Sequence, residues 1–520
     1  MKLKKQLFFF LPLLLLYFSC STQNKASKAL LKQSNYSFKK APNKTYFSIV
    51  QLNDVYEIAP IQNGKFGGMA RVETIHQEVL KENKNSMLVL AGDFLNPSLL
   101  GTLKINGERV RGKQMVEVMN AMNFDLVAFG NHEFDLSYTN LQKRLNESNF
   151  DWISANVLHK EVESKKYFYK IKNQKKQILK DSYIKEFKNS DGSILRVGFI
   201  SVCIPSNPKN YVFYGDMFEE IKRAYNEIKP KVDIVLGLTH VKVEQDRIIA
   251  KLLPDLALIM GGHEHTNSYE NINNVIIAKA DANAKTVYIH RFEYDRLTKK
   301  VKVKSELKEV NKSIIPNKKI ENIVSKWEGI LNTKIKEVVA SPNEVIFNTK
   351  EPLEARDTPV RSIQTNMGNM ITKAMSYAYN DKVDCALVNG GSIRIDDVLE
   401  GKITAVDVFR VLPYGGAILK VEIKGSLLKK VLDFGLSASG TGAFLQRFNV
   451  SKKSGNWYVK AKKIDENKVY KVAFSDYLLK GFDIPFLSNK NPEVLSIYKP
   501  KSIEKAFDIR KAIIDYMKKL

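Results

Sequence analysis

Five short apolar runs in the first half of the chain end in the same way, and that repetition limits the folds open to it. Residues 126–129 are apolar and stop at Gly130, after which Asn131, His132 and Asp135 follow at once. Residues 46–52 run into Asn53 and Asp54, residues 87–92 into Asp93, residues 233–239 into His240, and residues 256–262 into His263, Glu264 and His265. An apolar run of this length, bounded by turn residues, reads as a buried strand. Ligands of open α/β sheets bind outside the carboxyl ends of the strands, so each run delivers a ligating side chain to one edge. The sequence has 7 histidines, and His132, His240, His263 and His265 all fall at these ends. Asp, Asn and His together suit borderline divalent metals such as zinc, manganese or iron. Two such ions about 3.5–4 Å apart form the clamp used in phosphate ester hydrolysis. A capped turn with a surface histidine accounts for residues 126–135 taken alone, but not for the five runs together.

The segments between the runs alternate with them. Residues 67–82 carry Met69, Val72, Ile75 and Val79 at helical spacing, and residues 113–122 form a second crossover helix. His76 lies on the first helix and reads as structural or exposed rather than as a ligand. Strands alternating with helices predict an α/β fold with a largely parallel or mixed sheet. Residues 150–157, 195–204, 275–280 and 286–294 add strands, while the lysine-rich residues 159–193 read as a hairpin or surface insertion. Residues 318–338 are helix-patterned through Ile320, Ile323, Trp327 and Ile330. Beyond them come a helix at 369–379, a strand at 384–388 and hairpins. The expected division is a signal peptide at 1–19, a tether at 20–44, a first domain at 45–316, a linker helix at 317–339 and a second domain at 340–520.

The N-terminus directs the chain out of the cytoplasm. Lys2, Lys4 and Lys5 precede an apolar stretch at 7–18, shorter than the roughly 20 residues a membrane span needs. Ser19-Cys20-Ser21 follows and resembles a bacterial lipoprotein signal, with Tyr17 standing where leucine is usual. The expectation is a cell-envelope lipoprotein anchored to a bacterial membrane by lipid on Cys20, facing the periplasm or exterior. Polar residues 21–44 then act as a flexible tether. Cys203 and Cys385 lie in apolar runs of different domains and read as buried free thiols. The formal net charge is +26, from 82 basic and 56 acidic residues. The lysines are spread with no long basic block, so nucleic acid is not an expected partner, and the charge favours solvated faces and anionic substrates.

Asp54, Gly92-Asp93, Gly130-Asn131-His132-Glu133, His240 and Gly262-His263-Glu264-His265 stand in the order and context of the calcineurin-like metallophosphoesterases. The later half resembles the C-terminal domain of bacterial and animal 5′-nucleotidases, and the resemblance covers roughly residues 45–495. It implies an N-terminal β-sandwich flanked by helices and a smaller C-terminal α+β nucleotide-binding domain. In that family a helix near 318–338 links the domains and permits a large rotation. The resemblance also implies two divalent metal ions (zinc, manganese or iron) bridged by Asp93. Asp54 and His265 complete one ion, and Asn131, His240 and His263 the other. His132 hydrogen-bonds the phosphoryl group and Asp135 orients its imidazole, while Glu133 and Glu264 are structural. One departure is Tyr56, where the family carries a histidine ligand. Tyr56 can ligate as a phenolate, which favours ferric iron, or pack beside the site and leave a place for water; a weakly held first ion is the third option.

The substrate side is implied in the same way. Arg361 and residues 364–369 resemble the start of the nucleotide domain, and Asn389 to Arg394 follow an apolar strand with two glycines. Arg361 and Arg394 offer planar forks that match phosphate, with Asn389 on phosphate or ribose. Tyr414 and Tyr477 correspond to the pair that sandwiches the base, Asp483 to the ribose ligand, and Gly442 to a loop lining the pocket. Phe482 and Ile484 flank Asp483 where glycines are usual. The expected activity is hydrolysis of 5′-nucleotides to nucleoside and phosphate. The alternatives are a nucleotide-sugar or cyclic-nucleotide phosphohydrolase, or a nucleotide-binding lipoprotein with weakened catalysis. Tyr56, Phe482 and Ile484 favour the last, and retention of His132 with Asp135 opposes it. The oligomeric state is left open.

Overall fold

The computed structural model describes residues 41–189, 191–205 and 209–520. The signal sequence, Cys20 and all but the end of the tether lie outside these residues. Among the described residues, two six-stranded sheets carry the first domain. One runs Lys300–Glu309, Thr286–Asp295, Lys44–Leu52, Ser86–Ala91, Leu126–Ala128, Asp151–Ile153. The other runs Ser182–Lys188, Ile194–Ile200, Ile234–Thr239, Leu258–Gly261, Val275–Lys279, Ser268–Ile272. The strands that carry the five expected ligand ends lie parallel within each sheet, which brings those ends to a common edge.

Apolar residues on alternate positions explain the layering. Phe47, Ile49, Met87, Val89, Leu126 and Ala128 of the first sheet meet Val197, Phe199, Leu236, Leu238 and Met260 of the second in one core. The opposite faces are covered by helices. Met69–Glu82 and Lys113–Ala121 pack on the first sheet through Val72, Ile75, Met115 and Val118. Met217–Ile228 and Val243–Leu252 cover the second through Ile221, Ala224 and Ile249. The sandwich flanked by helices is therefore present as expected.

Three differences from the sequence reading have physical causes. The run at 150–157 breaks into Asp151–Ile153 and Val157–Lys160, because the Asn156 side chain accepts from the Cys203 amide (2.9 Å) and donates to its carbonyl (2.8 Å). The stretch read as an insertion at 159–193 supplies Ser182–Lys188, an antiparallel edge of the second sheet. Lys300–Glu309, unread from sequence, closes the opposite edge of the first sheet, with lysines that discourage further pairing.

The linker helix runs Lys318–Lys336 and is capped by the Asn317 side chain. It buries Ile320, Val324, Trp327, Leu331 and Ile335, whereas Ile323 and Ile330 are only partly covered. Its apolar face belongs to the core that also holds Met367, Ile371, Ala512 and Ile513 of the second domain. That domain is built on a five-stranded sheet ordered Leu445–Phe448, Cys385–Asn389, Val469–Ser475, Ile418–Lys424, Val494–Tyr498. Cys203 and Cys385 are both buried and free.

Candidate active site

Each expected ligand sits in the turn just after its strand, and the backbone there is unusual. Asp54, Asp93, His263 and His265 have φ of 53°, 60°, 91° and 62°, a region that non-glycine residues occupy only when surrounding structure enforces it. Glycines make room for them. A Cβ on Gly130 would stand 2.1 Å from Asp93 Oδ1, and one on Gly92 would meet His240 Nδ1 at 2.6 Å.

Asp54, Asp93 and His240, all buried, present ligand atoms within 4.8 Å of one another. His240 Nδ1 bonds the Ala91 carbonyl at 2.7 Å, which turns Nε2 toward Asp93 Oδ2 at 3.1 Å. His265 Nε2 lies 3.3 Å from Asp54 Oδ1, and the His263 ring lies edge-on to that of His240, with centroids 5.4 Å apart. Asp54 Oδ1, Asn131 Oδ1 and His240 Nε2 are buried without a well-formed hydrogen bond. Unsatisfied buried oxygens and an imidazole nitrogen, brought in by three different loops, are what a divalent cation satisfies. The residues present thus fit the expected ions.

The charges say the same. Burial would raise the Asp54 carboxyl, but His240 and His265 hold it well below its usual range. Burial would lower His240, but Asp93 and Asp54 lift it to about 9. His263, buried beside His240, falls to about 3 and stays neutral. A bound cation would take the place of the protons on His240 and His265.

His132 opens a 3₁₀ turn, His132–Asp135. Its Nδ1 pairs with Asp135 Oδ2 at 2.8 Å, and its amide donates to Asp93 Oδ1 at 2.7 Å. Asp135 Oδ2 also accepts from Asn96 (3.0 Å) and from Arg394 of the second domain (3.1 Å). Burial would lower the His132 imidazole, but Asp93 and Asp135 outweigh it and hold it up at about 10. Glu133 is no ligand: it accepts from the amides of Gly130, Asp93, Phe94 and Leu95 and fixes two of the loops together. Glu264 accepts from Val243 N and from Lys279, a buried lysine that also pairs with Asp246. Lys279 escaped the sequence reading, although a single lysine inside the apolar run 275–280 signals a paired buried charge.

Tyr56 is buried, and its hydroxyl stands 3.0 Å from His265 Nε2 and 3.3 Å from Asp93 Oδ2. Burial, with Asp93 and Asp54 nearby, pushes the phenol well above its usual range. Asp396, from the second domain, also reaches this corner, and nothing in the sequence pattern marked it.

The expected substrate residues gather in one cleft of about 1220 Å³ lined by Arg361, Asn389, Arg394, Tyr414, Gly442, Tyr477 and Asp483 among others. Asn389 Nδ2 donates to Asp483 Oδ2 (2.7 Å), and the Tyr477 hydroxyl donates to Asp483 Oδ1 (3.2 Å). Arg361 pairs with Asp357 at 2.7 Å. Gly442 lies against Gly391, where a Cβ on Gly391 would meet the Gly442 Cα at 3.0 Å. Ile484 turns into the domain core, whereas Phe482 is exposed in the cleft with its ring 6.0 Å from that of Tyr477.

A sandwich that gathers Asp, Asn and His at one edge, with a charged imidazole beside them, defines a metal-dependent phosphoesterase of the calcineurin-like class. The calcineurin-like phosphoesterase family matches residues 47–267, and the 5′-nucleotidase, C-terminal domain family matches residues 345–488. The chain belongs to the 5′-nucleotidase family that joins these two domains, and it is a phosphoric ester hydrolase that uses two divalent ions. It is 27% identical over 475 residues to the human 5′-nucleotidase, covering 80% of this chain and 78% of that one. It is 28% identical over 471 residues to the trifunctional nucleotide phosphoesterase protein YfkN of Bacillus subtilis, covering 80% of this chain and 31% of that one. The crystal structure of the 5′-nucleotidase precursor from Thermus thermophilus shares the fold, with a TM-score of 0.65 at 23% identity over 91% of this chain and 96% of that one.

Proposed function

We propose that this chain hydrolyses 5′-nucleotides to nucleoside and phosphate in the cell envelope. The observation that carries the reading is Arg394: it lines the cleft with Asn389, Tyr414, Tyr477 and Asp483, and its guanidinium bonds Asp135, the partner of His132. Base-binding and phosphate-handling groups therefore meet at one residue. Asp54, Asp93, Asn131, His240, His263 and His265 would hold the two ions. When bound, the ions lower the pKa of the attacking water and neutralise the phosphoryl oxygens. His132 donates to the phosphoryl group as charge develops, and Asp135 keeps its Nδ1 occupied so that Nε2 faces the substrate. Arg361 and Arg394 clamp the phosphate, Asp483 and Asn389 bond the ribose, and Tyr414 and Tyr477 stack the base.

The cleft exceeds the roughly 300–1,000 Å³ of ordinary ligand sites, which favours, as a second reading, substrates with a further phosphate or sugar. Phosphate release from nucleoside monophosphates, nucleotide sugars, cyclic nucleotides and an aryl phosphate, in zinc, manganese or iron, separates the readings. Monophosphates as the poorest substrates of that panel would overturn the first.

The envelope location rests on the apolar stretch at 7–18 ahead of Cys20 and the polar residues after it. Among the described residues no helix is long and apolar enough to cross a membrane. Cys20→Ala is expected to free the processed protein from the membrane fraction or to block its maturation. A processed variant that still sediments with membranes would exclude a lipid on Cys20.

A further inference from the structure

His265 receives groups from both domains. Its Nδ1 donates to the backbone carbonyl of Asp396 at 2.8 Å, which fixes the tautomer and leaves Nε2 as the free ligand atom. Around that Nε2 stand the Tyr56 hydroxyl at 3.0 Å, the Asp396 carboxylate at 3.2 Å and Asp54 Oδ1 at 3.3 Å. Asp54 Oδ1 is buried without a hydrogen bond. Two carboxylates this close to one imidazole nitrogen repel each other unless positive charge lies among them, and a bound cation would supply it in place of the imidazole proton. Neighbouring donors at right angles on an ion, each roughly 2.1 Å from it, stand about 3 Å apart, which is the spacing seen here.

Asp396 is held for this position. It is 8% exposed and lies at φ 48°, left-handed backbone for a residue with a Cβ. Its other oxygen accepts from the Asp357 amide at 2.6 Å. The next residue, Asp397, pairs with Lys285 of the first domain at 2.8 Å, so two successive side chains of the second domain bind the first.

We propose that Asp396 is a ligand of the ion held by Asp54 and His265, so that the second domain supplies a donor to a metal site built on the first. Tyr56 stands where the family carries a histidine ligand, and the Asp396 carboxylate, 3.2 Å from His265 Nε2, adds an anionic donor at that corner. An ion whose ligands come from both domains favours the apposed arrangement by its differential affinity for it. Metal occupancy and domain apposition are then linked, whatever phosphate ester the cleft takes.

The test uses the full chain loaded with zinc or manganese, dialysed against graded chelator and read by elemental analysis. Wild type is expected to hold two ions per chain. Asp396→Asn and Asp396→Ala are expected to release one ion at a chelator concentration about 10–100-fold lower, the range seen when groups supporting a metal ligand are removed, with the other ion unmoved. That retained ion, together with an unchanged circular dichroism spectrum, shows that the variant is folded. Asp397→Asn, which loosens the same contact without touching the donor set, is the control. If both ions leave Asp396→Asn at the wild-type chelator concentration, Asp396 is not a ligand. If Asp397→Asn releases the ion as readily as Asp396→Asn, apposition alone holds it and the ligand assignment fails. The readout is metal content, so loss of the 5′-nucleotide reading would leave it standing.

Discussion

At the scale of residues, His132 and its neighbour Glu133 do opposite jobs with adjacent side chains. His132 meets the expected ligand set through its amide on Asp93, and its imidazole, held at Nδ1 by Asp135, leaves Nε2 for the substrate. His132→Ala is therefore expected to lower turnover by about 10²–10⁴-fold with two ions still bound; full activity in that variant would remove the assigned role. Glu133 gathers four backbone amides, and a glutamine offers one acceptor oxygen where the carboxylate offers two. Glu133→Gln should lose about 1.5–3 kcal/mol, the scale of hydrogen bonds to charged groups, seen as a lower unfolding midpoint with weaker metal retention. An unchanged midpoint would contradict the bracing role. Asn131, His132, His240 and His263 were legible because each is a polar residue abruptly ending an apolar run. Asp396 was not, since its approach to His265 spans 131 positions and follows no local period. Tyr56 was legible as a departure, but only the packing shows its hydroxyl directed at Asp93 and His265.

Among elements, the two sheets are joined by polar side chains as well as by the apolar layer. Gln51 on Lys44–Leu52 donates across the sandwich to the carbonyls of Gly261 (3.2 Å) and Ala278 (2.9 Å). Its oxygen therefore accepts from His290 Nε2 at 2.8 Å, and His290 Nδ1 accepts from the Ser305 hydroxyl at 2.8 Å. Three adjacent strands and the facing sheet thus share one hydrogen-bonded chain. Burial alone pulls the His290 imidazole down to about 3 from 6.5. In the unfolded chain it takes a proton below about 6.5, while the folded chain cannot follow until about 3. The neutral form's advantage is complete above 6.5 and is lost as pH falls toward 3, at up to about 1.4 kcal/mol per pH unit. In the metal-free protein, denaturant midpoints between pH 7 and 4 should fall more steeply for wild type than for His290→Gln. Equal slopes would show that this histidine does not govern the acid limb. The strands around Gln51 were readable as apolar runs, and the helices by their spacing of Val72, Ile75 and Val79. The edges were not: Lys300–Glu309 alternates lysine with valine, so only one of its faces is apolar, a weaker signal than a buried run, and Ser182–Lys188 sits in lysine-rich sequence.

For the whole molecule, the domains meet through chemistry as well as core. Arg394 bonds Asp135, Asp397 pairs with Lys285, and Asn63 donates to the Lys402 carbonyl at 2.9 Å. The linker helix shares its apolar face with both domains, so deleting residues 340–520 would strip a common core and confuse unfolding with loss of substrate contacts. Point variants in the cleft separate the two. Tyr414 is 50% exposed and Tyr477 37%, so neither owes its position to burial and both can be shortened at little cost to the fold. Tyr477 is held by Asp483, which Asn389 holds in turn, a chain that presets one aromatic face before a base arrives. Stacking contributes about 1–3 kcal/mol per base, and that energy positions the phosphate for in-line attack rather than acting on it. Tyr414→Ala with Tyr477→Ala should then lower kcat/KM for a nucleoside monophosphate roughly tenfold or more, while a small aryl phosphate, which has no base to stack, keeps its rate. Metal content should stay at two ions, because the cleft residues lie outside the donor set. If both substrates fall together, or neither does, the tyrosines do not hold a base, and the nucleotide assignment of the second domain goes with them.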